Sequence, residues 1–488
     1  MAKIDLTLYP EQRRRAIQRV KERNIIIPTF AQMRNPELIP EKVRDELASI
    51  GLWDVHPRNL FRITWKNEPK PHGGGFDGIN YFELPSSLTG VPARIIGLVG
   101  KWFPTGAHKV GAAFGCLVPR LVTGQFDPTT QKAVWPSTGN YCRGGAYDSA
   151  LLACESIAIL PEGMSKERFD WLSKIAGEVI ATPGTESNVK EIFDKCKELG
   201  QSGEDLVIFN QFEEFGNYLW HYNVTGHAME EVLKRVLGPR DSFQGVALTT
   251  GSAGTIACGE YLKSMFPGSK TVASEALQCP TLLVNGFGSH RIEGIGDKHV
   301  PWIHNVKETD MVVAIDDNAV VNIVRLFNEN AGKTYLTHKG VPEEVVNRLD
   351  LLGFSGIANM LSAIKMAKYY EMGENDVILV VFTDSMELYT SRIAEYRREM
   401  GDFTSFDAAE VYARYLQGES TDNLLELTYQ DKKRVHNLKY YTWVEQQGRT
   451  YEEIQAQWYD PDYWAGFRSQ TDEIDALITE FNHRTGLA

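Results

Sequence analysis

One lysine, Lys109, stands where the turn Phe103-Pro-Thr-Gly-Ala-His-Lys-Val-Gly-Ala-Ala-Phe-Gly115 opens an almost wholly apolar helix. Desolvation at such a place lowers an amine's pKa, and a neutral amine is what Schiff-base formation requires. A lysine snorkelling from a helix end is the competing reading of this segment alone. A second segment, Thr249-Thr-Gly-Ser-Ala-Gly-Thr-Ile256, links the run GVALTTG to the helix IACGEYLKSM. Its glycines admit a ligand close to the backbone, N–H groups at the helix start face an anion, and Ser252 and Thr255 add hydroxyl donors. It lacks the Lys-Ser/Thr of a P-loop and is not G-x-G-x-x-G, so a monophosphate ester suits it better than a triphosphate. A plain tight turn is equally compatible with it.

Two further segments have the same strand-to-helix setting. Ser137-Thr-Gly-Asn140-Tyr-Cys-Arg-Gly-Gly145 offers backbone donors for a carboxylate, and Val380-Val-Phe-Thr383-Asp384-Ser385-Met-Glu-Leu-Tyr389 ends an apolar run on three consecutive polar residues. In open parallel sheets ligands gather at the carboxyl ends of strands, where all four segments fall. His290, His299 and His304 lie close in sequence but lack metal-ligand spacing, so no metal site is expected.

The elements that must position these groups are legible. Between about residues 93 and 384, short β-branched runs alternate with helical stretches, the pattern of parallel sheets with crossover helices. Nine strands are predicted: ARIIGLVGK, KAVWPSTG, SIAILPEG, EVIATPG, DLVIFNQF, GVALTTG, TVASEAL, MVVAIDD and VILVVFTD. Ile357, Met360, Leu361 and Ile364 share one face of a predicted helix. The flanks differ. Residues 1–80 carry a basic helix, EQRRRAIQRVKERN, and the Gly-rich turn PHGGGFDG. After Gly401 the chain is strand-poor and helical, with a capping box at Thr450 to Glu453 and three tryptophans, Trp443, Trp458 and Trp464, that must bury against the body or a second subunit.

The chain has 488 residues and 51 Lys+Arg against 64 Asp+Glu, a net charge of -13. That length predicts two or three packed units, and that charge disfavours nucleic acid and anionic bilayers as partners. Six cysteines without a CxxC pair read as reduced thiols. No apolar run has signal-peptide or membrane-spanning form, so the cytoplasm is the expected location.

Taken together, the four segments resemble those of fold-type II pyridoxal-phosphate enzymes: cysteine synthase, cystathionine β-synthase, threonine dehydratase and the tryptophan synthase β chain. Pro104-Thr-Gly-Ala-His-Lys109 is similar to the PxGxxK segment, Ser137-Thr-Gly-Asn140 to the SxGN loop, and Gly251-Ser-Ala-Gly-Thr255 to the phosphate loop. Outside the site, His290 to Pro301, Gly353-Phe-Ser-Gly-Ile357, Asn210-Gln-Phe and His221-Tyr-Asn-Val-Thr-Gly226 also resemble family stretches. Gly139-Asn-Tyr-Cys-Arg-Gly-Gly, with Leu160-Pro-Glu-Gly and Lys166-Glu-Arg168, is closer to the dehydratases and diaminopropionate ammonia lyase. The resemblance covers roughly residues 80–400.

It implies an α/β fold of two subdomains with parallel-rich twisted sheets, plus mainly helical extensions at both ends. The expected division is an N-terminal extension (1–80), a large cofactor domain (81–130 and 233–400), a small mobile substrate domain (131–232) and a C-terminal extension (401–488). It implies pyridoxal 5'-phosphate as cofactor, with Lys109 as the Schiff-base residue. His108 and Gly251, Ser252, Ala253, Gly254 and Thr255 would meet its phosphate, and Asn140 its phenolic oxygen. Ser137, Thr138, Gly139 and Asn140 would hold the substrate carboxylate. One position departs from the cysteine-synthase pattern. Where that family has a serine on the pyridine nitrogen, a gapless match puts Asp384, and Thr383 or Ser385 turned inward is the alternative.

The reaction implied is β-elimination or β-replacement on a serine- or cysteine-like amino acid through an aminoacrylate, in a homodimer with room for a partner subunit. The competing expectations are the β subunit of a 2-amino-4-oxopentanoate thiolase and a catalytically inactive cofactor-binding relative.

Overall fold

The computed structural model describes residues 2–203, 205–296 and 298–487. All nine predicted runs are strands there, and two short ones join them. In chain order they are β1 (Tyr81–Leu84), β2 (Arg94–Val99), β3 (Lys132–Pro136), β4 (Glu155–Pro161), β5 (Glu178–Thr182), β6 (Leu206–Ile208), β7 (Ser242–Thr249), β8 (Lys270–Ala276), β9 (Met311–Ile315), β10 (Asp376–Phe382) and β11 (Leu424–Glu426). One sheet runs β1-β2-β10-β7-β8-β9-β11, the other β5-β4-β3-β6. Every inner pair of the larger sheet and every pair of the smaller one is parallel. The two added strands, β1 and β11, pair antiparallel at the edges of the larger sheet. Both lie where the sequence has no long β-branched run, and they form because an open edge has unpaired backbone groups to satisfy.

The larger sheet is covered on both faces, which is why β10 (DVILVVF) and β9 (MVVAI) are apolar on consecutive positions. The helix Phe354–Tyr369 packs against β7 to β10 and the helix Asp317–Asn328. Its periodicity predicts one apolar face, yet every residue from Phe354 to Ala367 is buried. The small residues Ser355, Gly356, Ala358, Ser362 and Ala363 let neighbours approach the faces that the pattern leaves weakly apolar.

Both ends of the chain brace the helix Lys109–Thr123. The C-terminal helix Thr471–Thr485 packs on it and on the basic N-terminal helix Pro10–Glu22, which also touches it. Asn482 exchanges two hydrogen bonds with the backbone of Ile27 (3.0 and 2.7 Å), and the Asp475 carboxylate accepts from the first N–H groups of the helix Phe30–Arg34. The tryptophans bury within the same chain. Trp443 Nε1 donates to the Val300 carbonyl at 2.9 Å, and Trp464 packs on Tyr218 and Phe215. Beneath them Lys439, 0% exposed, spends its three donor positions on the carbonyls of Trp302 and His304 and on Gln457 Oε1.

The helix Lys109–Thr123 also meets the helix Phe215–Trp220 at a glycine crossing. A Cβ at Gly216 would collide with the carbonyl of Gly115, and one at Gly115 with that of Gly216. Backbones this close leave no room for a methyl group. Gly216→Ala is expected to force the helices apart and lower stability by about 1–3 kcal/mol, read as a shift in the chemical denaturation midpoint.

Candidate functional site

Lys109 emerges from two tight turns. Thr105 has a left-handed backbone (φ 70°) with Gly106 beside it (φ 74°), a conformation a branched residue adopts only when its surroundings hold it there. The half-buried Lys109 Nζ donates to Gln211 Oε1 at 3.1 Å. Its pocket is lined by His108, His221, the loop 251–255 at the carboxyl end of β7, and Thr383 at the end of β10. The helix Ile256–Met265 starts from that loop, and Ala253 is again left-handed (φ 60°). Asn217 anchors the loop, its Nδ2 reaching Ser252 Oγ at 2.9 Å and the Gln211 carbonyl at 3.0 Å. Asn359 ties β7 to β10, accepting from Thr249 N and donating to the Val381 carbonyl.

The two histidines are buried and neutral. Burial, with help from Lys109, pushes His108 down to about 3, and burial with His108 and Lys109 pushes His221 well below its usual range. His221 pairs through Nδ1 with Thr225 Oγ1 at 2.9 Å, whereas both ring nitrogens of His108 are buried without a partner. Trp65 and His221 hold that ring in place by aromatic contact.

The loop Ser137–Asn140 is shaped by its own side chain: Ser137 Oγ accepts from the Gly139 N–H at 3.0 Å. Gly139 has φ 153°, and a Cβ there would strike the Arg168 guanidinium. Asn140 starts the helix Asn140–Leu151 and donates from Nδ2 to Asp384 Oδ2 at 2.6 Å.

Asp384 faces inward and is 0% exposed, which excludes the solvent-facing alternative. Tyr389 OH donates to the same Oδ2 at 2.6 Å, and Arg168 Nη2 donates to that phenol at 2.8 Å. Burial pushes the Asp384 carboxyl up, against Tyr389, Arg168, Asn140 and Arg143, which all favour its ionised form. Thr383 lines the pocket, while Ser385 belongs to the following turn, its carbonyl accepting from Leu388 N. Asn140 Oδ1 and Asp384 Oδ1 are buried without partners.

The comparisons with known proteins agree with this geometry. Residues 103–335 match the family model described as pyridoxal-phosphate dependent enzyme. The chain is 28% identical over 289 residues to a probable cysteine synthase of Bacillus subtilis, covering 59% of this chain and 85% of that one. It is 25% identical over 322 residues to the cystathionine beta-synthase of Saccharomyces cerevisiae, covering 64% and 60%. Its fold is similar to that of an O-acetylserine dependent cystathionine beta-synthase from Helicobacter pylori, with a TM-score of 0.52 and 24% identity over 64% of this chain and 94% of that one. Over residues 103–335 this chain is similar to the pyridoxal-phosphate dependent enzymes.

The family that matches residues 103–335 takes pyridoxal phosphate as its cofactor. The residues present fit that group: an amine, an N–H and hydroxyl loop at a helix start, two neutral histidines, and a buried carboxylate with one oxygen still lacking a donor. Sequence reasoning missed Gln211, Asn217, His221, Asn359 and Tyr389 as members of the site. The signal for Gln211 and His221 lay in the stretches Asn210-Gln-Phe and His221 to Gly226, that for Tyr389 in the end of the segment Val380 to Tyr389, and Asn217 and Asn359 had none.

Tyr389→Phe removes one of the two donors to the Asp384 carboxylate and the acceptor of Arg168. It is expected to destabilise the enzyme by about 1–3 kcal/mol, because a buried charged group is left short of a partner. Denaturant titration of the variant checks this.

Proposed function

We propose that the enzyme catalyses β-elimination or β-replacement on a serine- or cysteine-like amino acid, with Lys109 as the residue that carries the cofactor. What supports this reading is that Lys109 and the loop 251–255 line one pocket while the carboxylate of Asp384 meets Asn140 beside the loop 137–140. Bound pyridoxal phosphate supplies an electron sink for a carbanion at the substrate α-carbon.

The chain's own groups do the rest. Ser252, Thr255 and the N–H groups of 251–255 bind the phosphate at the start of the helix Ile256–Met265, with His108 as a neutral donor. Asp384 keeps a proton on the ring nitrogen, since an opposite charge at close range favours its ionised form. Asn140 would hold the ring's phenolic oxygen, and the N–H groups of 137–140 would orient the α-carboxylate. Lys109 Nζ would remove the α-proton as general base, and Gln211, which accepts from it at 3.1 Å, positions that amine. Loss of a group from the β-carbon then leaves two outcomes. A second nucleophile gives a new amino acid, and water gives a keto acid and ammonia.

Two measurements test the assignment. Borohydride reduction of the holoenzyme followed by peptide mass spectrometry is expected to find the pyridoxyl group on Lys109, and an adduct on any other lysine overturns it. Asp384→Ser and Asp384→Asn are expected to slow exchange of the substrate α-proton tenfold or more, each tenfold corresponding to ~1.4 kcal/mol of lost stabilisation. Wild-type exchange in both variants would remove Asp384 from the ring nitrogen.

A further inference from the structure

The loop that is read as the substrate clamp continues into a helix with a cation that the protein itself leaves unanswered. Arg143 is buried, 4% exposed, and its Nε and Nη1 have no hydrogen-bond partner. Among the described residues no carboxylate lies within ion-pair distance of it. Its guanidinium carbon sits 4.6 Å over the ring of Trp171, which holds the plane and leaves the donor edge free. Its backbone N–H donates to the Gly139 carbonyl, so it follows Asn140 by one turn and shares that residue's helix face.

The neighbouring charges are already committed. Arg168 is paired with Glu293 at 2.7 Å and Glu293 also with Arg392 at 2.5 Å, while Asp384 is held by Asn140 and Tyr389. Asn140, one turn before Arg143 at the start of the same helix, reaches Asp384 at 2.6 Å, so the guanidinium lies on the helix that joins the loop 137–140 to that carboxylate. Burial and the like charge of Arg168 push it down to about 10, so it stays protonated at neutral pH. A buried guanidinium without an anion is costly to the fold, and a ligand that brings one recovers that cost.

We propose that Arg143 is a specificity-determining residue that receives a second anionic group, a phosphate, sulfonate or carboxylate on the side chain of the amino-acid substrate. The proposal rests on the reading of the site as one for an amino acid. It adds that neutral side chains are the poorer ligands, because they leave the guanidinium unpaired.

Calorimetric titration of the holoenzyme with two unreactive probes tests it. L-2-amino-3-phosphonopropionate carries the second anion, and L-2-aminobutyrate is its neutral counterpart. Native enzyme is expected to bind the phosphonate at least tenfold more tightly. Arg143→Gln should abolish that preference while changing the affinity for aminobutyrate less than threefold, and Arg143→Lys should keep part of it. Equal affinities in the native enzyme overturn the proposal without any variant. Equal weakening of both probes in Arg143→Gln also overturns it, and assigns Arg143 to the α-carboxylate or to the loop. If neither probe binds native holoenzyme, the amino-acid reading itself falls.

Discussion

A carboxylate with no access to water organises the centre of this enzyme. Asp384 can be buried only if polar groups replace its hydration, and the fold brings them from separate parts of the chain: Asn140 from the helix of the smaller sheet and Tyr389 from the turn after β10, with Arg168 behind the phenol. The same contacts fix the relative placement of the two sheets at the site. Gly353 belongs to this constraint, because any side chain there would run into Asp384 Oδ1, and its N–H binds the Asp384 carbonyl at 3.2 Å. The oxygen still without a donor is where a protonated ring nitrogen would complete the set.

Around Lys109 the electrostatics run the other way. Two histidines lie beside an amine in a cavity that disfavours charge, so both stay neutral and neither adds a like charge next to Lys109. The ring of His108 is held by Trp65, whose own Nε1 donates to the Thr225 hydroxyl that pairs with His221. One hydroxyl therefore orients an indole and an imidazole together. The left-handed backbones at Thr105 and Ala253 belong to the same economy of space, each bending the chain tightly where it approaches the pocket.

Both ends of the chain buttress the helix that opens at Lys109. The C-terminal helix and the N-terminal helix lie on the helix that begins at Lys109, while Lys439 and Trp443 tie the preceding extension to the segment 300–304.

Much was determined by local sequence. The nine strands were legible because residues covered on both faces must be apolar at consecutive positions, and the four site segments because they fall together at the carboxyl ends of those strands, where ligands gather. The capping box at Thr450 and Glu453 formed as written, being a contact between residues three apart. What tertiary structure decided are the contacts between residues far apart in the chain. Asp384 turned inward because Asn140, 244 residues away, and Tyr389 were there to receive it, while Thr383 beside it lines the pocket. The helix from Phe354 to Ala367 is buried on every side because a sheet and another helix enclose it, which periodicity along one element cannot report. Asn217 and Asn359 were silent for the same reason: an amide's role is set by the partner it meets, and that partner is chosen by the fold.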